Sequence, residues 1–309
     1  MREFDKVLVT GGSGFVAQAY AKEAVRLGHE VHLAGRRPNE NNPNEHAVNM
    51  SDPDSVAELL NTVQPDVIVN GAAVLGRNQG DQLELNPLFT ENLLKGVNSL
   101  ELNLSRIVII GSSAEWGLVE PSQLPMKESV PANANSPYGK SKQAEIELAL
   151  KMADEYDLPV VVARLFNQLG PGLHPSNLVS RVIDQLGEGR DEIEVRNLDP
   201  MRDYLDVRDT AQAIGKLART EHLPHRVYNV SSGISLTNEE VIRTVLRLSG
   251  HPDMPVIGTN STKEPIVGSA HGNPERLKEL GWEQQYTLDD TIKDMLSEAR
   301  LLPDLQDVA

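Results

Sequence analysis

A glycine-rich turn between a strand and a helix is the feature that most constrains this chain. Lys6–Thr10 is a β-branched run typical of a strand, and it leads directly into the turn Gly11–Gly14. Phe15–Leu27 follows with apolar residues at helical spacing and stops at Gly28. Glycines at such a junction allow a tight turn and a close backbone approach to an anion, which the helix N-terminus favours. We therefore expect a pyrophosphate-binding turn in a βαβ chain.

Short apolar runs and helical stretches alternate through the first half of the chain. The strand candidates are Glu30–Ala34, Val67–Val69, Ile107–Ile110 and Val160–Leu165, and the longest helical stretches lie near Asn86–Leu104 and Tyr138–Glu155. This alternation predicts an α/β fold with a doubly wound parallel sheet. After about Asn167, prolines and glycines separate shorter elements. We expect a nucleotide-binding domain of residues 1–167 and 205–230, and a smaller C-terminal α/β substrate lobe of residues 168–204 and 231–309.

Composition excludes several classes of function. The chain of 309 residues has no cysteine, so disulfides, thiolate nucleophiles and Cys-ligated metals are ruled out. Its net charge of -16 disfavours nucleic acid, and no apolar run approaches the ~20 residues that span a bilayer. The N-terminus lacks the apolar core of a signal peptide. We expect a cytoplasmic protein with no nucleic-acid or membrane partner and no metal site.

The end of the second strand bears on the choice of cofactor. NAD sites usually have an acid there, which binds the ribose 2′-hydroxyl. This chain has Arg36 and Arg37 instead, and two arginines can pair with a 2′-phosphate. The pattern favours NADP, with NAD possible, although two solvated arginines remain the alternative. Further candidates follow the third and fourth strands, where they would contact the adenine or leave room for the cofactor: Asn49, Met50, Ala72 and Ala73.

A tyrosine, a lysine and two serines are the candidates for catalysis. Tyr138 and Lys142 lie four residues apart, so they share one face of a helix. A cation beside a phenol favours the phenolate, and such a phenol can exchange a proton with a sugar hydroxyl or carbonyl. An ordinary surface pair is the alternative. Ser112 and Ser113 follow the strand Ile107–Ile110, at the edge where parallel sheets bind ligands.

Seven motifs, spread over nearly the whole chain, carry a resemblance to a known family. They are Thr10–Ala17, Asn70–Ala73, Gly111–Gly117, Pro137–Lys142, Arg164–Pro171, Arg202–Asp209 and Leu280–Trp282. The chain resembles the extended short-chain dehydrogenase/reductases, or NAD-dependent epimerase/dehydratases, which act on nucleotide sugars. The resemblance implies a Rossmann domain, a small substrate lobe and a Ser-Tyr-Lys catalytic set. Within the family, the chain is most similar to GDP-mannose dehydratases and GDP-4-keto-6-deoxymannose reductases.

The resemblance also implies roles for individual residues. Tyr138 would be the acid/base, and Lys142 would tune it and hold the nicotinamide ribose. Counting from the strand end selects Ser113 as the catalytic serine, which we prefer, whereas counting back from Trp116 selects Ser112. Glu115 is the one adjacent candidate for a second base. The substrate diphosphate would contact Asn167 and Arg202, and the remaining cofactor contacts would be Gly11, Ser13, Gly14, Phe15, Val16 and Phe166.

Three functions fit this set of residues. The first is an NADP-dependent reductase of a 4-keto-6-deoxy nucleotide sugar, which the chain length and the lack of a second obvious acid favour. The second is a 4,6-dehydratase or 4-epimerase that retains its cofactor, and the third is a non-catalytic NADP-binding regulator. The resemblance further implies a homodimer formed through the helices near Asn86–Leu104 and Tyr138–Glu155.

Overall fold

The computed structural model describes residues 5–74, 79–259 and 271–302. The strands are β1 (Lys6–Thr10), β2 (Glu30–Gly35), β3 (Glu45–Ala47), β4 (Val67–Asn70), β5 (Arg106–Ser112), β6 (Val160–Leu165), β7 (Asn167–Leu169), β8 (Ile193–Val195), β9 (Met201–Arg202), β10 (Tyr204–Asp206), β11 (Val227–Val230), β12 (Leu236–Thr237) and β13 (Val256–Gly258). The α-helices are α1 (Phe15–Arg26), α2 (Pro53–Val63), α3 (Gln79–Ser99), α4 (Pro137–Tyr156), α5 (Leu178–Gly187), α6 (Val207–Arg219), α7 (Asn238–Leu248), α8 (Glu275–Glu279) and α9 (Leu288–Glu298).

The main sheet has seven strands in the order β11-β6-β5-β4-β1-β2-β3, and every pairing in it is parallel. The chain starts in the middle at β1, winds outward to β3, and then returns to β4 on the other side of β1. Ligands of such sheets bind where the winding reverses, beyond the carboxyl ends of the strands. The doubly wound α/β fold expected from the sequence is confirmed, and the reversal lies between β1 and β4.

Helices cover both faces of the main sheet. Val7 and Val9 of β1 pack on one face against α1 and α6, whereas Leu8 packs on the other face against α2 and α3. Side chains alternate between the faces of a strand, so a strand buried on both sides is apolar throughout. Fourteen buried apolar residues form a third core, which includes Val182 of α5 and Val245 of α7. Two later residues, Leu277 and Trp282, pack in the core of the main sheet instead.

Local sequence signals match several element boundaries. Asp52 caps α2, with its side chain accepting from the backbone N–H of Asp54 at 3.1 Å. Thr237 and Glu240 form a capping box at the start of α7. The helix expected near Asn86–Leu104 begins earlier, at Gln79, and ends at Ser99. Among the residues that the structure describes, no helix is both long and apolar enough to cross a membrane.

Candidate active site

A cavity of about 250 Å³ lies at the reversal point of the sheet, between the carboxyl ends of β1, β4 and β5. The sequence predicts eight of its lining residues: Gly14, Phe15, Val16, Ala73, Ser112, Tyr138, Lys142 and Phe166. The sequence does not single out the other eight as site residues, although five of them lie within the motifs given above: Val9, Ala17, Val69, Gly71, Ile110, Gly111, Leu165 and Gln168. Six of these eight belong to strands, and a position towards the carboxyl end of a parallel strand is a further signal that could have pointed to them.

The glycine turn has the geometry that a phosphate group requires. Gly11 has a φ of +67°, and a Cβ added there would lie 2.5 Å from the carbonyl oxygen of Gly71, so no other residue fits. Gly14 precedes α1 and supplies no side-chain cap. The N–H groups of the first helical turn are therefore open to an anion. The turn suits a dinucleotide pyrophosphate.

A second observation also fits a dinucleotide. Gln168 of β7 lines the cavity, and its side-chain nitrogen is buried without a hydrogen-bond partner in the structure. A buried donor without a partner is costly, so a bound group with an acceptor would satisfy it. The cavity therefore combines an open helix N-terminus with an unsatisfied donor.

The remaining predicted cofactor residues are not among those that line this cavity. Arg36 and Arg37 are exposed just beyond the end of β2, where the sequence predicts them to meet a 2′-phosphate. Asn49 is also exposed, and its side chain accepts from the N–H of Ser51 at 3.2 Å. By contrast, the side chains of Met50 and Ala72 are buried in the apolar core, and Ser13 is exposed on the turn.

The first turn of α4 carries the tyrosine and lies against the turn that follows β5. Ser136 caps the helix by accepting from the N–H of Gly139 at 3.0 Å. A Cβ at Gly139 would lie 2.3 Å from the carbonyl oxygen of Ala114, so only glycine permits this approach. The close contact brings Tyr138 to the same cavity as the end of β5.

The structure distinguishes the two candidate serines. Ser112 is the last residue of β5 and lines the cavity together with Tyr138 and Lys142. Ser113 begins the 3₁₀ helix Ser113–Trp116 and is not among the residues that line this cavity. Ser112 also accepts a hydrogen bond from the backbone N–H of Ala114 at 3.2 Å. Ser112, which counting back from Trp116 selects, therefore lines the cavity with Tyr138, whereas Ser113, which we prefer on sequence, does not.

Lys142 is buried and forms an ion pair with a residue that sequence reasoning misses. Its Nζ lies 2.5 Å from Oε2 of Glu145, and the two side chains are 5% and 0% exposed. Burial lowers the pKa of Lys142, but the attraction of Glu145 and then of Tyr138 outweighs it and raises that pKa above its ordinary value. Lys142 therefore carries its charge at the cavity wall.

Glu115 is withdrawn into a second buried ion pair. Its Oε2 accepts from Nη2 of Arg164 at 2.9 Å, and the two side chains are 2% and 6% exposed. The guanidinium of Arg164 also lies over the ring of Trp116, 4.4 Å from its centroid. Breaking such a pair would leave a buried charge without compensation. The carboxylate is accordingly held away from solvent.

The two predicted diphosphate contacts lie outside the main sheet, on β7 and β9. Asn167 begins β7, which pairs with β10, and its side chain donates to the carbonyl oxygen of Asp203 at 3.1 Å. Arg202 precedes Asp203, and its Nη1 donates to the carbonyl oxygen of Met201 at 2.7 Å. Burial lowers the pKa of Arg202 below its ordinary value.

Asp203 is also buried. The sequence points to it only as a member of the motif Arg202–Asp209. Its carboxylate accepts from the N–H and hydroxyl of Ser232 and from the N–H groups of Gly233 and Gly272. Burial raises the pKa of Asp203, while these hydrogen bonds act in the opposite direction. The carboxylate holds three chain segments together directly beside Arg202.

Comparisons with known proteins agree with this geometry. A sequence model of the NAD dependent epimerase/dehydratase family matches residues 7–231. The GDP-6-deoxy-D-mannose reductase of Pseudomonas aeruginosa is 28% identical, over 95% of this chain and 96% of that protein. The UDP-glucose 4-epimerase of Streptomyces lividans is 27% identical, over 90% of this chain and 91% of that protein.

A solved structure has the same fold. The structure of RMD from Pseudomonas aeruginosa complexed with NADPH superposes with a TM-score of 0.83 at 25% identity, covering 96% of this chain and 97% of that one. The family expected from the seven motifs is thereby confirmed. The chain belongs to the NAD dependent epimerase/dehydratase family, and it is an enzyme whose cofactor is NAD or NADP.

Proposed function

We propose that this chain is an NADP-dependent reductase of a 4-keto-6-deoxy nucleotide sugar. The observation that carries the choice is the buried pair of Glu115 and Arg164. A 4,6-dehydratase needs a base for the proton at C5, and Glu115 is the adjacent candidate. A carboxylate whose side chain is 2% exposed and which is held at 2.9 Å by a guanidinium is poorly suited to that task. A reductase needs no such base.

The proposed reaction uses the three polar residues of the cavity. When bound, the reduced dinucleotide supplies a hydride to the C4 carbonyl carbon. Ser112 donates a hydrogen bond to the carbonyl oxygen and orients it. Tyr138 donates its phenolic proton to the same oxygen, so that the ketone becomes a hydroxyl. Lys142 acts through its positive charge, which stabilises the phenolate that remains.

Two exposed arginines support NADP rather than NAD. Arg36 and Arg37 follow β2, the position at which dinucleotide sites contact the adenosine ribose. A guanidinium can bind a 2′-phosphate with two parallel hydrogen bonds.

The names of the relatives support the class of substrate. The Pseudomonas aeruginosa relative is called a reductase of a GDP-6-deoxy sugar, and the Streptomyces lividans relative an epimerase of UDP-glucose. Asn167 and Arg202 would hold the diphosphate of such a molecule here. Arg202 is partly buried, and a buried guanidinium gains more from an anionic partner than an exposed one.

The experiment follows the absorbance of NADPH and the mass of the sugar product together. We expect stoichiometric oxidation of NADPH with a 4-keto-6-deoxy nucleotide sugar, and a product heavier by two hydrogen atoms. A nucleotide hexose with a 4-hydroxyl should give little or no 4-keto product. Loss of water from that hexose without consumption of NADPH would overturn the proposal in favour of a dehydratase. Inversion at C4 would favour an epimerase, and no reaction with any nucleotide sugar would favour a regulator.

We also propose a homodimer formed through α3 and α4. Ile146 and Ala153 of α4 are buried against the main sheet, so they are not available to a partner. Leu83 of α3 and Ala144 of α4 are instead exposed, and the proposed surface includes them. Two copies of this surface would bring four helices together.

A further inference from the structure

A chain of buried hydrogen bonds connects the end of β1 to the carboxylate of Glu145. The hydroxyl of Thr10 donates to Oδ1 of Asn70 at 2.5 Å, and Nδ2 of Asn70 donates to Oγ1 of Thr90 at 2.8 Å. The hydroxyl of Thr90 then donates to Oε1 of Glu145 at 2.9 Å. All four side chains are at most 1% exposed. These residues belong to β1, β4, α3 and α4, so the hydrogen-bond chain runs from two strands of the main sheet to two helices.

The donor and acceptor groups of these side chains fix the direction of the hydrogen-bond chain. An amide nitrogen only donates, so the hydroxyl of Thr90 has its own proton free for Glu145. Burial raises the pKa of Glu145, while the charge of Lys142 and the hydrogen bonds from Lys142 and Thr90 act in the opposite direction. In its ionised form the carboxylate only accepts, which makes Glu145 the end of the hydrogen-bond chain. Its second oxygen, Oε2, accepts from Nζ of Lys142 at 2.5 Å. Lys142 has three N–H donors, and two of them therefore remain for the cavity.

We propose that Glu145 is a positioning residue for Lys142, which keeps the buried ammonium charged and fixes where its two remaining donors point. Through Thr90 and Asn70, the same carboxylate ties that position to Thr10, directly before the glycine turn. The inference rests on the proposed function and on the role that the family resemblance implies for Lys142, which is to hold the nicotinamide ribose.

The surroundings of Lys142 explain why the counter-charge matters. The charged and titratable groups that act on it are Tyr138 and Glu145 of its own helix and Glu115 of the turn after β5, which is itself paired with Arg164 of β6. Glu145 makes the largest favourable contribution to the raised pKa of Lys142, against burial. Without the charge of Glu145, burial acts against the ammonium with less opposition, and the pKa of Lys142 falls. The amine then loses its proton as the pH rises.

The test compares Glu145→Gln with Glu147→Gln. Glu147 is exposed on the same helix, where it accepts from Gln143 at 2.9 Å, so it is a matched control for loss of one negative charge. NADPH affinity is measured by fluorescence titration from about pH 6 to about pH 9, a range in which a buried lysine without a counter-ion titrates. The quantity compared is the ratio of a variant's NADPH affinity to that of the wild type at the same pH. For Glu145→Gln we expect this ratio to be about tenfold lower at the alkaline end of the range than at the acid end. The ratio for Glu147→Gln should stay constant.

A ratio for folded Glu145→Gln that does not change with pH would overturn the inference, because a merely structural glutamate would weaken binding equally at every pH. If this variant does not fold, Thr90→Val takes its place, since it removes one of the two donors to Glu145 with little change of shape. A smaller alkaline loss of NADPH affinity is expected for Thr90→Val, and a constant ratio would again refute the inference. The readout needs no sugar, so a failure to reduce any 4-keto sugar would overturn the proposed function alone.

Discussion

At the scale of single residues, the proposed reaction depends most on the hydroxyl of Tyr138, which lines the cavity with Ser112 and Lys142. Tyr138→Phe keeps the ring and removes the proton donor. We expect turnover to fall by ~10²–10⁴-fold, the usual contribution of a general acid, with NADPH affinity nearly unchanged. Steady-state kinetics and NADPH titration measure the two quantities. Tyr156→Phe at the other end of the same helix is the control, and turnover of Tyr138→Phe within a few-fold of wild type would contradict the role.

A second residue-scale prediction concerns the selection of cofactor. Arg36→Ala removes a guanidinium that is exposed at the end of β2. We expect NADP to bind more weakly by about 1.5–3 kcal/mol, the value of a charge-assisted hydrogen bond, and NAD to bind as before. Calorimetric titration with both cofactors measures this, and Arg190→Ala is the control because Arg190 is exposed shortly after α5, where it pairs with Glu188. Equal weakening of NADP and NAD would argue against a contact with the 2′-phosphate.

At the scale of elements, the N-terminus of α4 determines where the tyrosine lies. Ser136→Ala removes the cap of this helix and should cost about 0.5–2 kcal/mol of unfolding free energy. Fraying of the first turn displaces Tyr138, so we expect turnover to fall by about tenfold or more. Denaturant unfolding and kinetics measure the two effects.

A matched cap on α9 separates stability from catalysis. Thr287 caps α9, with its hydroxyl accepting from the N–H of Asp290 at 3.2 Å. Thr287→Ala should cost a similar free energy of unfolding and leave turnover unchanged. If both cap variants lose turnover to the same extent, global stability and not the position of Tyr138 would be the cause.

At the scale of the whole molecule, the proposed dimer predicts twice the chain mass by light scattering at micromolar concentration. Ala144→Arg places a charge on the exposed side of α4 and should give monomers, because an unpaired charge at a contact is costly. Ile234→Arg is the control, since Ile234 is 58% exposed in a different part of the chain. A monomeric mass for the wild type would contradict the proposal.

The sequence by itself determined the local features of the structure, which depend on residues close together in the chain. The glycine turn, the cap of α2, the capping box of α7 and the helical spacing of Tyr138 and Lys142 are all encoded within a few positions. The alternation of strands and helices then predicts the doubly wound sheet, since parallel strands require crossover connections. The start of α3 was predicted too late because helix boundaries carry weaker signals than helix interiors.

Only the tertiary structure decided which polar groups meet. Ser112 lines the cavity because β5 continues to that residue before the chain turns, which counting along the sequence left open. Glu115 is withdrawn by Arg164, 49 positions away, and Glu145 is held by Thr90, 55 positions away. Pairings across such distances depend on how whole elements pack, and burial then determines whether a carboxylate is free to react or is held by a partner.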